Sequence, residues 1–213
     1  MGAFQEYAGT CSTTGDVLLP DSLAFGNNDE PMKTFATAGA VMLFAPIWGQ
    51  NLVPNGSFEE FTECPQATGY WATDWTGPYG SPDFFHRCAP GDVCSVPFNN
   101  MGCQEPAQGD GYMGFATYLH GCPLCREVIA AELTEPLQVG VPVYISFKAS
   151  PGGFGSWVGN SARWKAKGPG IQFFNALPDV WWMGVDAYLY PNAAALHMPD
   201  ILGDTAIWVT VTG

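Results

Sequence analysis

The sequence predicts an all-β domain, on three observations. Glycine occurs 26 times and proline 18 times in 213 residues, too often for long helices to persist. Val143-Tyr144-Ile145-Ser146-Phe147-Lys148-Ala149 alternates strictly between two side-chain sets, the period of an extended chain with one buried face. Gly109-Asp110-Gly111-Tyr112-Met113-Gly114-Phe115-Ala116-Thr117-Tyr118 reads as a turn that runs into a strand. A hydrophobic content of 47% is enough for one good-sized core, so one main domain is expected.

Taken in order, residues 1–31 are polar, carry Asp16, Asp21, Asp29 and Glu30, and show no periodicity, which marks an N-terminal extension outside the domain. Residues 32–50 have a different character. Met32-Lys33 supplies a positive end, 34–47 is an apolar run without charge, and Trp48-Gly49-Gln50 follows. That is the layout of a secretory signal peptide, too short for a comfortable membrane span; with translation from Met1 the competing reading is an internal hydrophobic helix. The domain proper is then 51–213.

The domain opens on Asn51-Leu52-Val53-Pro54-Asn55-Gly56-Ser57-Phe58-Glu59-Glu60-Phe61, an apolar entry, a turn, and an aromatic beside a carboxylate. Extended alternation sends Phe58 inward and Glu59 outward, as in a first strand. This opening resembles that of the galactose-binding-like jelly-roll domains of carbohydrate-binding modules. It is most similar to the domain of outer-surface and gliding-motility-associated proteins of Bacteroidetes. The resemblance implies a jelly-roll β-sandwich with long aromatic-rich loops. The family pattern has further strands beyond the position of Gly213, so it also implies a sandwich short of its last strands, with an edge open to strand exchange.

Later stretches carry the same likeness. Thr73-Asp74-Trp75 and Gly80-Ser81-Pro82-Asp83-Phe84-Phe85 are similar to the family's tryptophan turn and its Thr-Pro-Asp-Tyr-Phe-like motif. Read from residues alone, the whole of 63–108 is rich in Gly, Pro, Asn and aromatics and holds no lasting pattern, so loops at one rim of the sandwich are expected. Arg126-Glu127-Val128-Ile129-Ala130-Ala131-Glu132-Leu133 favours a helix by propensity. The family has strands here and in the next segment, and a strand is expected on that ground. Arg163 to Phe173 resembles another family strand, with Lys167 where the pattern has Asp, and Ile201 to Val211 resembles the Leu-x-Asp-Thr-x-x-Trp strand.

Of seven cysteines, Cys11 lies in the extension and Cys64, Cys88, Cys94, Cys103, Cys122 and Cys125 form an even set, as in exported proteins. Proximity pairs Cys94 with Cys103 and Cys122 with Cys125. The pairing of Cys64 with Cys88 is also what the resemblance implies.

The chemistry divides by class. With 7 Lys and Arg against 20 Asp and Glu the formal net charge is −13, which repels nucleic acid and anionic membranes. Trp71, Trp75, Tyr79 and Trp157 are candidate stacking surfaces for a sugar, with Asp74, Asp83 and Asn99 as hydrogen-bonding partners. The competing reading is that these rings are core. The resemblance implies a structural Ca²⁺ held near Asn55 and Glu59, a metal with no catalytic duty. His120-Gly121-Cys122-Pro123-Leu124-Cys125 has the spacing of a thiol–disulfide oxidoreductase, but no βαβ unit precedes it. His86, His120 and His197 are too scattered for a zinc site. Glu59, Glu60, Asp74, Asp83 and Asp110 could supply a glycosidase pair, but no nucleophile elbow, zincin helix or phosphate loop is present. The expected function is therefore a non-catalytic, secreted or outer-surface module that recognises a glycan or cell-surface partner. The alternatives are a structural spacer in a surface assembly and an oxidoreductase using Cys122 and Cys125.

Overall fold

The computed structural model describes residues 50–67, 69, 71–117, 126–152, 168–176, 194–204 and 207–213. The extension 1–31, nearly all of the leader-like segment 32–50, Trp157, Lys167 and the pair Cys122 and Cys125 lie outside them. Residues 52–213 fall in one unit.

The described residues form strands and no helix: β1 (Trp75–Tyr79), β2 (Asp83–His86), β3 (Gly111–Gly114), β4 (Val128–Ala131), β5 (Ser146–Ala149), β6 (Gly170–Ile171), β7 (Leu196–His197) and β8 (Val209–Thr212). They pair antiparallel as β1–β4, β2–β3, β5–β8 and β6–β7, four small two-stranded sheets. The all-β expectation is met at this level. No described helix is long and apolar enough to cross a membrane.

Local chemistry explains each ladder. In β5–β8 the cross-strand pairs Phe147↔Val211 and Ala149↔Val209 share a face, and Ser146↔Thr212 and Lys148↔Thr210 share the other. One face buries while the other meets water, as the alternation of 143–149 demands. Ala149 and Val211 pack with Met198 and Leu202, flanked by Phe147, Leu196 and Val209. β2 behaves differently. All four of its residues are buried, so its two faces are both covered and its sequence shows no alternation.

β4 occupies the segment whose helix propensity competes with the strand reading, and the strand wins. Its pairing with β1 gives Ile129 a place against Ala72, Phe84 and Met113, burial that a few tenths of a kcal/mol per residue of propensity does not offset. The β1–β4 register slips between Thr76 and Tyr79, at Gly77-Pro78. Proline has no N–H for the ladder, and a bulge tolerates it. A Cβ on Gly77 would lie 2.2 Å from the Trp71 ring, so the indole packs where only glycine leaves room.

Two expectations are corrected. The opening stretch is a turn rather than a first strand. The Phe58 N–H donates to the Asn55 carbonyl, both residues have positive φ, and the first strand-like pairing is the isolated bridge Phe61↔Ala72. Asn-Gly turn chemistry overrides alternation here. The region 63–108, expected as rim loops, contains β1 and β2. These strands are four and five residues long, too short to leave a periodic signal.

Cys64 and Cys88 form a disulfide with Cα atoms 5.7 Å apart, closing a loop across 24 positions. A closure of that length stabilises by on the order of 3 kcal/mol. Cys94 is a free, buried thiol, so the pairing of Cys94 with Cys103 is wrong. Cys103 is disulfide-bonded, with a partner outside the described residues. Cys94 packs instead with Phe85, Ala89 and Val96, as a small hydrophobe.

Candidate functional site

Of the residues singled out for sugar binding, Trp71, Trp75, Tyr79 and Asp83 lie on or beside β1 and β2 and face inward. Tyr79 and Asp83 are 7% and 4% exposed. Trp71 and Trp75 are half-buried and pack with Phe58, Phe61 and Ile129 against Ala72, Phe84 and Met113. The Trp75 ring lies 4.9 Å from that of Phe58, and its Nε1–H donates to the Asn55 carbonyl. The positive φ of Phe58, costly for a bulky side chain, is held in place by this contact.

Asn99 is 1% exposed and fully occupied. Its Nδ2 donates to the Ser95 carbonyl and to the Tyr112 hydroxyl, and its Oδ1 accepts from the N–H groups of Met101 and Gly102. It organises the loop after β2 and has no group to offer a ligand. Burial pushes Tyr112 up to about 12, with the Glu105 charge adding to the rise, while the Asn99 hydrogen bond works the other way. Asp74 alone among the candidates within the described residues is exposed. It borders a shallow concavity with Pro54, Glu132, Leu133 and Thr134, where no ring is available for stacking.

Asn55 and Glu59, the implied calcium residues, are both engaged with backbone donors. Asn55 Oδ1 accepts from Glu60 N–H, and its Nδ2 donates to the carbonyls of Glu60 and Thr73. Glu59 Oε1 accepts from the N–H groups of Asp110 and Gly111, and Oε2 lies 3.8 Å from His86 Nε2. Among the described residues no group of three or more His, Cys, Asp or Glu gathers as metal ligands. In this structure the two residues tie chain segments together by hydrogen bonds.

The residue that sequence reasoning passed over is Glu127, just ahead of β4. Its Oε1 accepts from the Ser81 N–H and hydroxyl, and its Oε2 accepts from the Ala116 N–H at 2.7 Å. Its own N–H donates to the Ala116 carbonyl. One side chain thus holds the turn between β1 and β2 against the segment after β3. Close by, Asp83 Oδ1 is buried with no hydrogen-bond partner. Burial, and secondarily the charge of Glu127, raises the Asp83 carboxyl to about 7. Burial, then the charge of Asp83, pushes the Cys94 thiol up to about 11, which keeps it protonated and unreactive. Nothing in the sequence marks Glu127, because its partners Ala116 and Ser81 stand 11 and 46 positions away.

Exposed charges form a separate group. Arg87 bridges Asp110 and Glu105 at 2.9 and 3.1 Å, pairs that water screens. No family model matches the chain, and comparison with curated proteins and solved structures gives no match.

Proposed function

We propose that the chain is an exported, non-catalytic module of a cell-surface assembly, serving as a rigid structural and adhesive spacer. In this reading its four ladders belong to a jelly-roll sandwich, the architecture the opening motif implies. The observation that carries it is the inward packing of the aromatic set. Trp71 and Trp75, the rings best placed to stack on a sugar, pack against the core around Phe84, and Tyr79 is buried at the end of β1. A protein that recognises sugars through aromatic platforms leaves them in a concave, wet surface. The Cys64–Cys88 bridge supports an oxidising compartment outside the cytoplasm, where such a bond persists.

The test is a glycan array probed with the full folded chain, alongside acrylamide quenching of its tryptophans. The spacer reading expects no glycan signal above background and shielded Trp emission. Saturable binding of one glycan class, lost in Trp75→Ala with the fold retained, would overturn it in favour of a lectin.

A further inference from the structure

The buried carboxyl at the head of β2 has no part in a spacer's work, and its surroundings are specific. Asp83 is the first residue of β2 and is paired across the ladder with Gly114, which has no side chain to meet it. An ionised carboxylate with a dry, unpartnered oxygen is costly, so the neutral acid is the form that fits the site. Two titratable groups interact electrostatically with it: Glu127 ahead of β4, and the Cys94 thiol on the segment after β2. Arg126, next to Glu127 in sequence, is the cation on that element.

Both carboxyl oxygens of Glu127 act as acceptors, for Ser81 and Ala116, and the side chain is tightly seated. Gly80 has φ +81, and a Cβ there would lie 2.5 Å from Glu127 Cγ, so the turn closes directly onto the side chain. We propose that Asp83 and Glu127 form a proton-operated latch: with a proton on Asp83, Glu127 clasps Ser81 and Ala116, and loss of that proton to water sets two carboxylates against each other and loosens the clasp. The latch is closed in mild acid and opens as the surroundings turn alkaline. It acts on the β1–β2 turn and the segment after β3, and leaves the β5–β8 ladder untouched.

The experiment is amide hydrogen exchange on the full chain from about pH 5 to about pH 9, corrected for intrinsic exchange, in the wild type and in Asp83→Asn. Protection of the Ser81 and Ala116 amides in the wild type should fall by up to about tenfold per pH unit as pH rises toward about 7, and level off above it, where the Asp83 carboxyl is ionised whether the clasp is closed or open. The Phe147 and Val211 amides should show no such fall. Asp83→Asn, neutral at every pH, should keep both clasp amides protected throughout. A flat wild-type profile, or an Asp83→Asn profile that falls like the wild type, would overturn the latch. Should Asp83→Asn not fold, the carboxyl carbon of Asp83 can be titrated by NMR in the wild type. A midpoint near neutrality that moves the Ser81 and Ala116 amide shifts supports the latch, and one in the ordinary carboxylate range refutes it.

Discussion

Replacing Asn55 with alanine tests whether the opening turn is held by hydrogen bonds or by a cation. The Asn55 side chain makes three hydrogen bonds, to Glu60 N–H, Glu60 carbonyl and Thr73 carbonyl. A net contribution of about 0.5–1.5 kcal/mol for each, reduced because water reaches the turn, gives about 2 kcal/mol lost in Asn55→Ala. Asn55 also has φ +43, where a Cβ without a polar group to hydrogen-bond locally costs about 1 kcal/mol more. The expected loss is about 3 kcal/mol. With a slope of about 2 kcal/mol per molar urea, the unfolding midpoint should drop by about 1.5 M with the disulfide intact. Asn55→Gly relieves the dihedral but not the hydrogen bonds and should lose only about 2 kcal/mol. A loss below about 0.5 kcal/mol in Asn55→Ala would refute this account. So would a wild-type midpoint that rises with added Ca²⁺ and stops doing so when Asn55 is changed.

Phe84 is 1% exposed at the centre of the β1–β4 and β2–β3 core, so Phe84→Ala should cost about 3–5 kcal/mol, read as lost secondary-structure signal on mild heating. Gly80→Ala should destabilise by about 2 kcal/mol or more, because positive φ and the Glu127 contact both oppose a Cβ; urea unfolding reports it, and a neutral result contradicts the close seating. The Cys94 thiol should resist alkylation in the folded protein and react on unfolding without reduction, as intact mass would record, whereas rapid native labelling would mean the site is open. For global stability the folded Asp83 carboxyl stands at about 7 against an ordinary 3.8. Its contribution is fully present below 3.8 and is lost as pH rises through about 7. Urea midpoints should therefore fall between about pH 4 and about pH 8, by on the order of 3–4 kcal/mol in the wild type, and remain nearly level over that range in Asp83→Asn.

Legibility followed length and locality. Of the alternating stretch 143–149 only the second half forms a strand, β5, whose alternation with that of its partner β8 was legible, while Val143 and Tyr144 are exposed outside it. Phe58 and Glu59 divide as the opening motif implies, one in the core and one at the surface, although a turn rather than a strand positions them. β1 and β2 were hidden in a glycine- and proline-rich stretch. β1 carries Pro78 at a bulge and β2 is buried on both faces, so neither alternates. The aromatic set was found, but its orientation was not. A tryptophan looks the same in a sequence whether it stacks on a sugar or on Phe58. Cys94 was paired by proximity along the chain, whereas disulfide geometry depends on distances in space.

The amino-acid sequence by itself determined the chemical class of this protein: strand-forming, acidic and glycine-punctuated. These follow from composition and from nearest-neighbour patterning, which need no long-range contact. Only the tertiary structure decided that Trp71 and Trp75 pack against the core, that Asn55 and Glu59 serve as hydrogen-bonding ties, and that the clasp of Glu127 sits beside the buried Asp83. Each of these depends on groups brought together from distant parts of the chain, where burial and electrostatics act over a few ångströms of space regardless of separation in sequence.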